Sequence, residues 1–201
     1  MIISHKFRFI YIKTVKTAGT SIEVYLSPHC GEGDVLTPIL PVEEGHRPRN
    51  FGRYYHHFSA WGIRETVAPE IWSGYFKFCV ERNPWDKTIS DYAMAQERAG
   101  GELCFEQYLE ARRYCKSWEL YTDTDNRTLL VDRVLRYENL DEELGDVFRT
   151  LGVPWSGSLG VRAKSGYRKD RRHYRDWYSE AQRDQVAEAF ADEIREFGYE
   201  F

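Results

Sequence analysis

The feature that most constrains this chain is a change of pattern near its start. Phe7 to Ile12 is an apolar, β-rich run; Lys16-Thr17-Ala18-Gly19-Thr20-Ser21 is a short turn; and the residues after it read as a helix. A strand that ends in a tight turn and restarts as a helix leaves the first helical N–H groups without intrahelical partners. Those donors and the helix dipole favour an anion at that point, such as a phosphate or a sulfate. Two details separate this turn from the commonest phosphate loop. Its lysine, Lys16, precedes the glycine, and no Gly-Lys-Ser/Thr with a metal-holding hydroxyl is present.

With 201 residues, 42% hydrophobic and 15% aromatic, the chain is long and apolar enough for a folded core, read here as one domain over 1–201. No stretch approaches the ~20 apolar residues of a membrane span, and MIISHKFRF lacks the order of a secretion signal. A soluble, cytoplasmic protein is the expectation. Cys30, Cys79, Cys104 and Cys115 have neither CxxC pairing nor metal-ligand spacing, so free thiols and no metal site are expected. The net charge of −4 gives no bulk attraction to nucleic acid. Between Arg162 and Arg175, however, seven Lys/Arg residues face a single acid, Asp170. That segment is either a local anion site or a solvated basic stretch.

Along the chain, strands are expected over Phe7–Lys13, Gly74–Val80 and Val131–Arg136. Helices are expected over Thr20–Leu26, Ser59–Val67, Asn83–Arg98, Phe105–Tyr114 and Leu140–Leu151, with a last one from a Ser179/Gln182 capping box to Phe197. The alternation implies an α/β fold with a central parallel sheet flanked by helices. Residues 28–52 are rich in Pro and Gly and read as a binding loop, with the acceptor region extending to 58.

A second strand-to-helix turn places Arg82 at a strand end with Ser90 eight residues on. In a parallel sheet such turns open on the edge where ligands bind. Here the sequence resembles the sulfotransferases that use 3′-phosphoadenosine-5′-phosphosulfate (PAPS). KTAGTS is similar to their 5′-phosphosulfate loop, Pro-Lys-Thr-[Gly/Ala]-[Thr/Gly]-[Thr/Ser], with Val15 where a proline often stands. ERNPWDKTISDY is similar to their 3′-phosphate motif, Arg-x-Pro-x-x-[Arg/Lys]-x-x-Ser-x-Tyr. The segments Arg136–Leu140 and HYRDWYSEAQRDQV…FGY extend the similarity, which is nearest to the carbohydrate-modifying branch.

The resemblance implies a P-loop-like three-layer fold and transfer of a sulfuryl group from PAPS to a hydroxyl of a glycan or small molecule, leaving 3′,5′-ADP (PAP). It assigns Lys16 to the bridging oxygen and to catalysis, and Thr17, Ala18, Gly19, Thr20 and Ser21 to the 5′-phosphate. Arg82 and Ser90 are assigned to the 3′-phosphate, and Tyr167, Arg168 and Lys169 to a basic loop over the nucleotide. His57-Phe58-Ser59-Ala60 matches the branch's His-x-[Ser/Thr]-Ala, which favours His57 over His56 as the base; Glu43 or Glu44 is the rival. Thr20 or Ser21 could instead cap the helix, and Ser90 could bond back to its own turn. Phe51, Tyr54, Tyr55, Phe58 and Trp61 could stack on an acceptor or pack the loop. A small nucleotide-dependent phosphotransferase and a non-catalytic 3′,5′-ADP-binding module are the alternative readings.

Overall fold

Apolar runs buried on both faces dictate the centre of this molecule. In Phe76–Glu81 and in Phe9–Tyr11, alternate side chains join one hydrophobic cluster (Phe9, Tyr11, Phe78, Val80), while Ile10 and Cys79 between them are equally inaccessible on the other face. The computed structural model describes residues 1–160, 163, 166–170 and 172–201. In chain order its elements are β1 (Ile2–Ser4), β2 (Phe9–Tyr11), α1 (Gly19–Leu26), β3 (Val35–Leu36), α2 (Ala60–Arg64), α3 (Pro69–Gly74), β4 (Phe76–Glu81), α4 (Pro84–Arg98), α5 (Phe105–Glu110), α6 (Trp118–Tyr121), β5 (Arg133–Arg136), α7 (Leu140–Leu151), α8 (Glu180–Ala189) and α9 (Ala191–Phe197). They fall into two compact units, 1–81 with 117–163 and 82–116 with 164–201.

The first unit is a mixed α/β arrangement around a five-stranded sheet of order β3-β1-β2-β4-β5. Its central strands are parallel: Tyr11 lies beside Phe78, and Phe78 beside Arg133. The sheet departs from the wholly parallel expectation at one edge. The first residues form β1, which pairs antiparallel with β2 and with β3. A three-residue strand is too short for its alternation to be read from sequence. Ile22 and Leu26 of α1 and Leu144, Val147 and Phe148 of α7 complete the cluster against the sheet.

Charge also enters this interior. Lys13, just past β2, reaches Glu23 in α1 at 2.5 Å, and both side chains are buried. The second oxygen of Glu23 takes the Met1 amino group, which also donates to Thr37 Oγ1 at 2.7 Å. Burial alone would raise the Glu23 carboxyl, but the two ammonium groups outweigh it and hold the pKa below its usual value.

The second unit packs Trp85, Ile89 and Tyr92 of α4 against Phe105, Tyr108, Leu109, Val186 and Phe190. Asn83 caps α4 through Trp85 N–H and Asp86 N–H, Pro84 takes the first position, and the Ser179/Gln182 capping box is formed. The single long C-terminal helix expected from the pattern is two helices. Phe190 leaves helical geometry (φ −111°, ψ 29°) while its ring stays in the core, so the apolar face continues across the break. Likewise α5 stops at Glu110, short of the expected Tyr114, and Arg112 turns to φ 48°.

Replacing Glu23 by Gln leaves Lys13 buried without its counter-charge. A loss of about 3–5 kcal/mol is expected, measured by chemical denaturation.

Candidate functional site

The cradle begins where β2 ends. Ile12 N–H still donates to Phe78 O of β4 at 2.9 Å, and Thr14 Oγ1 donates to Val80 O, so the chain stays bound to β4 as it leaves the sheet. Because the Thr14 proton is committed to that carbonyl, the contact of 2.7 Å between the two hydroxyls has Thr17 Oγ1 as donor. Val15 N–H is held by Ser117 Oγ at 3.0 Å. These contacts fold the loop back over the strand end.

Lys16 and Ala18 are both left-handed, each with φ 61°. Non-glycine residues in this region carry a strain of about 1–3 kcal/mol each. Ala18 is also the N-cap of α1, and no side chain caps the helix; the first intrahelical bond runs from Ile22 N–H to Ala18 O at 3.1 Å. The contrast with α4, which Asn83 caps, is direct. Thus neither Thr20 nor Ser21 caps α1. The Thr20 hydroxyl bonds no described residue, whereas Ser21 Oγ accepts Ala163 N–H at 3.0 Å. With the Thr17 hydroxyl turned inward, what this turn offers an anion is backbone N–H groups, the Thr20 hydroxyl and the half-buried Lys16.

Gly19 is required by close approach rather than by its φ. A Cβ there would stand 2.8 Å from Lys13 Cγ and 3.3 Å from Tyr11 Oη. The Lys13 stem that reaches Glu23 therefore passes directly beneath the helix start. Tyr11 Oη is buried beside it and has no hydrogen-bond partner among the described residues.

His57 joins this same strand end. Its Nδ1 lies 2.8 Å from the carbonyl oxygen of Lys13, so Nδ1 carries the proton and donates, and the neutral ring presents a bare Nε2. Burial lowers its pKa to about 4; the Lys13 carbonyl opposes the shift, and the Lys13 and His56 charges reinforce it. His57 is itself left-handed at φ 62°. Thus three of the seven non-glycine residues of positive φ among the described residues, Lys16, Ala18 and His57, belong to this one region. His56 is exposed and stands edge-on to His57 at 5.1 Å. Glu44 is exposed and Glu43 half-buried, on a loop whose tip also exposes Leu40 and Val42. Arg49 anchors that loop by donating to the carbonyls of Ser27, Cys30, Gly31 and Arg47. Of the aromatic residues, Tyr54 and Tyr55 pack edge-on against Phe58, while Trp61 stays exposed.

The second unit holds the other candidates. Arg82 is buried and donates through Nε and Nη2 to Asp86 Oδ2 at 3.0 and 2.7 Å. Ser90 lies one helical turn beyond Asp86 and does not bond back to its own helix, unlike Thr88, which donates to Pro84 O. Tyr167, Arg168 and Lys169 line a cleft of ≈ 370 Å³ with Tyr92, Gln96 and Trp177. Arg168 meets Asp86 Oδ1 at 2.7 Å, and Lys169 pairs with Glu97 at the surface. Arg162, Lys164 and Arg171 of the basic stretch lie outside the described residues. Among the described residues no three His, Cys, Asp or Glu side chains are grouped to hold a metal ion, and no helix is long and apolar enough to cross a membrane.

No family model matches the chain. An uncharacterized protein of Archaeoglobus fulgidus is 32% identical over 116 residues, which cover 55% of this chain and 97% of the archaeal one. The chain belongs to one family with that protein.

Sequence reasoning passed over Lys13, Glu23, Thr14, Ser117 and Asp86. For the first two the signal was present: a lysine ending an apolar strand and a glutamate inside an otherwise apolar helix both need a buried partner. Ser117, a hundred residues away, carried no local mark.

Two outcomes are expected. Gly19→Ala must displace the Lys13 stem and should cost about 1–3 kcal/mol in chemical denaturation. His57 has a native pKa below its unfolded value, so the unfolded state binds the extra proton between pH 6.5 and about 4, and stability falls as pH drops through that window. Thermal melts of wild type and His57→Gln over this range should converge as the pH is lowered.

Proposed function

We propose that this protein is a PAPS-dependent sulfotransferase of P-loop-like α/β fold, acting on a hydroxyl acceptor. The observation that carries the reading is the start of α1: a strained, left-handed turn directly after a central parallel strand, with no side chain capping the helix. A helix that starts on a strained turn with no side-chain cap suits an anionic group. Lys16 lies ahead of Gly19, as in the phosphosulfate loops that the sequence resembles.

In this reading the cradle amides and Lys16 stabilise charge on the leaving phosphate as the S–O bond breaks. The acceptor hydroxyl attacks sulfur in line, and His57 Nε2 takes its proton. The tautomer fixed by the Lys13 carbonyl supports that role, because it leaves Nε2 as the acceptor. The resemblance gives the 3′-phosphate to Arg82 and Ser90; the Ser90 hydroxyl, unbonded to any described residue, is available for it.

Calorimetric titration with 3′,5′-ADP and with ATP, each with and without Mg²⁺, tests the ligand, and labelled PAPS with a panel of hydroxyl acceptors tests transfer. Mg²⁺-independent binding of 3′,5′-ADP is expected, with transfer reduced about 10²–10³-fold in Lys16→Ala and about 10²–10⁴-fold in His57→Ala. Preference for ATP with Mg²⁺ would favour a phosphotransferase instead. Binding of 3′,5′-ADP without transfer to any acceptor would favour the non-catalytic module.

A further inference from the structure

The Arg82 region contains a carboxylate that phosphate binding does not by itself call for. Asp86 stands one turn before Ser90 on α4 and gives both oxygens to arginines. Oδ2 accepts Arg82 Nε and Nη2 at 3.0 and 2.7 Å, and Oδ1 accepts Arg168 Nη1 at 2.7 Å. Burial pushes the carboxyl up, but Arg82 and Arg168 outweigh it and hold the Asp86 pKa below its usual value.

Arg168 is fixed on every side. Its Nε donates to Asp170 O at 3.2 Å and its Nη2 to Arg172 O at 2.8 Å, in addition to the bond to Asp86. Three of its five N–H donors are thereby used. The other two meet no described residue, and the side chain lines the ≈ 370 Å³ cleft. The α4 backbone cannot supply the missing donors, because the Asn83 side chain already takes the N–H groups of Trp85 and Asp86. An anion here must therefore be met by side chains.

A carboxylate in that place has two opposed effects. As a charge, it cancels one of two arginines and weakens any anion site. As a fixed acceptor, it holds two planar forks in a set orientation before a ligand arrives, which lessens the freedom lost on binding. We infer that Asp86 is a positioning residue that sets Arg82 and Arg168 as a two-guanidinium receptor for a phosphomonoester dianion, with Ser90 as the hydroxyl donor. The inference rests on the sulfotransferase reading only for identifying that phosphomonoester as a nucleotide 3′-phosphate.

The sign of one substitution separates the two effects. Asp86→Asn keeps the shape and adds one unit of positive charge, so a purely electrostatic role predicts tighter anion binding. Positioning predicts weaker binding. The test is calorimetry of wild type, Asp86→Asn and Asp86→Glu with 3′,5′-ADP and with 5′-AMP, which lacks the 3′-phosphate. The Arg82 and Arg168 Nε–H resonances are followed in parallel during titration with inorganic phosphate. The Asn variant should lose affinity for 3′,5′-ADP about tenfold or more while 5′-AMP changes less than about twofold, and the Glu variant should recover most of the loss. Unchanged or tighter binding by Asp86→Asn, or equal losses for both nucleotides, overturns the positioning role and leaves the sulfotransferase reading standing. If wild type ignores 3′,5′-ADP but phosphate shifts both arginine resonances only when Asp86 is intact, the sulfotransferase reading falls and the receptor stands. Silence to both ligands overturns both. Thermal melts establish that each variant is folded.

Discussion

The buried contact between Lys13 and Glu23 joins the end of β2 to the middle of α1, and the shape of the cradle depends on it. A lysine at that depth needs a carboxylate, and Glu23 supplies it, one oxygen meeting Lys13 and the other the Met1 amino group. The lysine stem then occupies the space beneath the start of α1, which only a residue without a Cβ leaves open. Gly19 is thus a packing consequence of an ion pair. The backbone carbonyl of the same Lys13 orients His57. One residue, unremarkable in the sequence, therefore fixes the floor of the cradle and the tautomer of the proposed base.

Strain is concentrated at the same place. Lys16, Ala18 and His57 hold left-handed backbones that cost about 1–3 kcal/mol each, against the hydrogen bonds of Thr14, Thr17 and Ser117 that keep the loop closed. The low pKa of His57 agrees with this picture, since burial withdraws its ring from water and keeps it neutral over the range where a base is useful.

The two helix starts differ in what they would offer an anion in the proposed function. At α1 the backbone is left uncapped and short of glycine at its strained positions, so the donors are amides. At α4 the Asn83 side chain consumes those amides, and the cationic groups are Arg82 and Arg168, gathered by Asp86. Amides recognise an anion close against the backbone; arginine forks recognise the exposed oxygens of a terminal phosphate.

Local chemistry was legible throughout the sequence. The central strands could be read because burial on both faces leaves continuous apolar runs, and the caps at Asn83, Ser59 and Ser179 because a cap depends on neighbours two or three residues away. The turn Lys16–Ser21 and its helix were also visible, as a strand pattern ending in small residues. Tertiary structure alone decided the antiparallel edge of the sheet, where three residues carry too little periodicity, and the break at Phe190, which leaves the apolar face unaltered. It alone brought Ser117 to Val15, His57 to Lys13 and Arg168 to Asp86, pairs separated by 102, 44 and 82 residues. The sequence determines what each residue can donate or accept; which partner it meets is decided by chain closure over distances that no local pattern encodes.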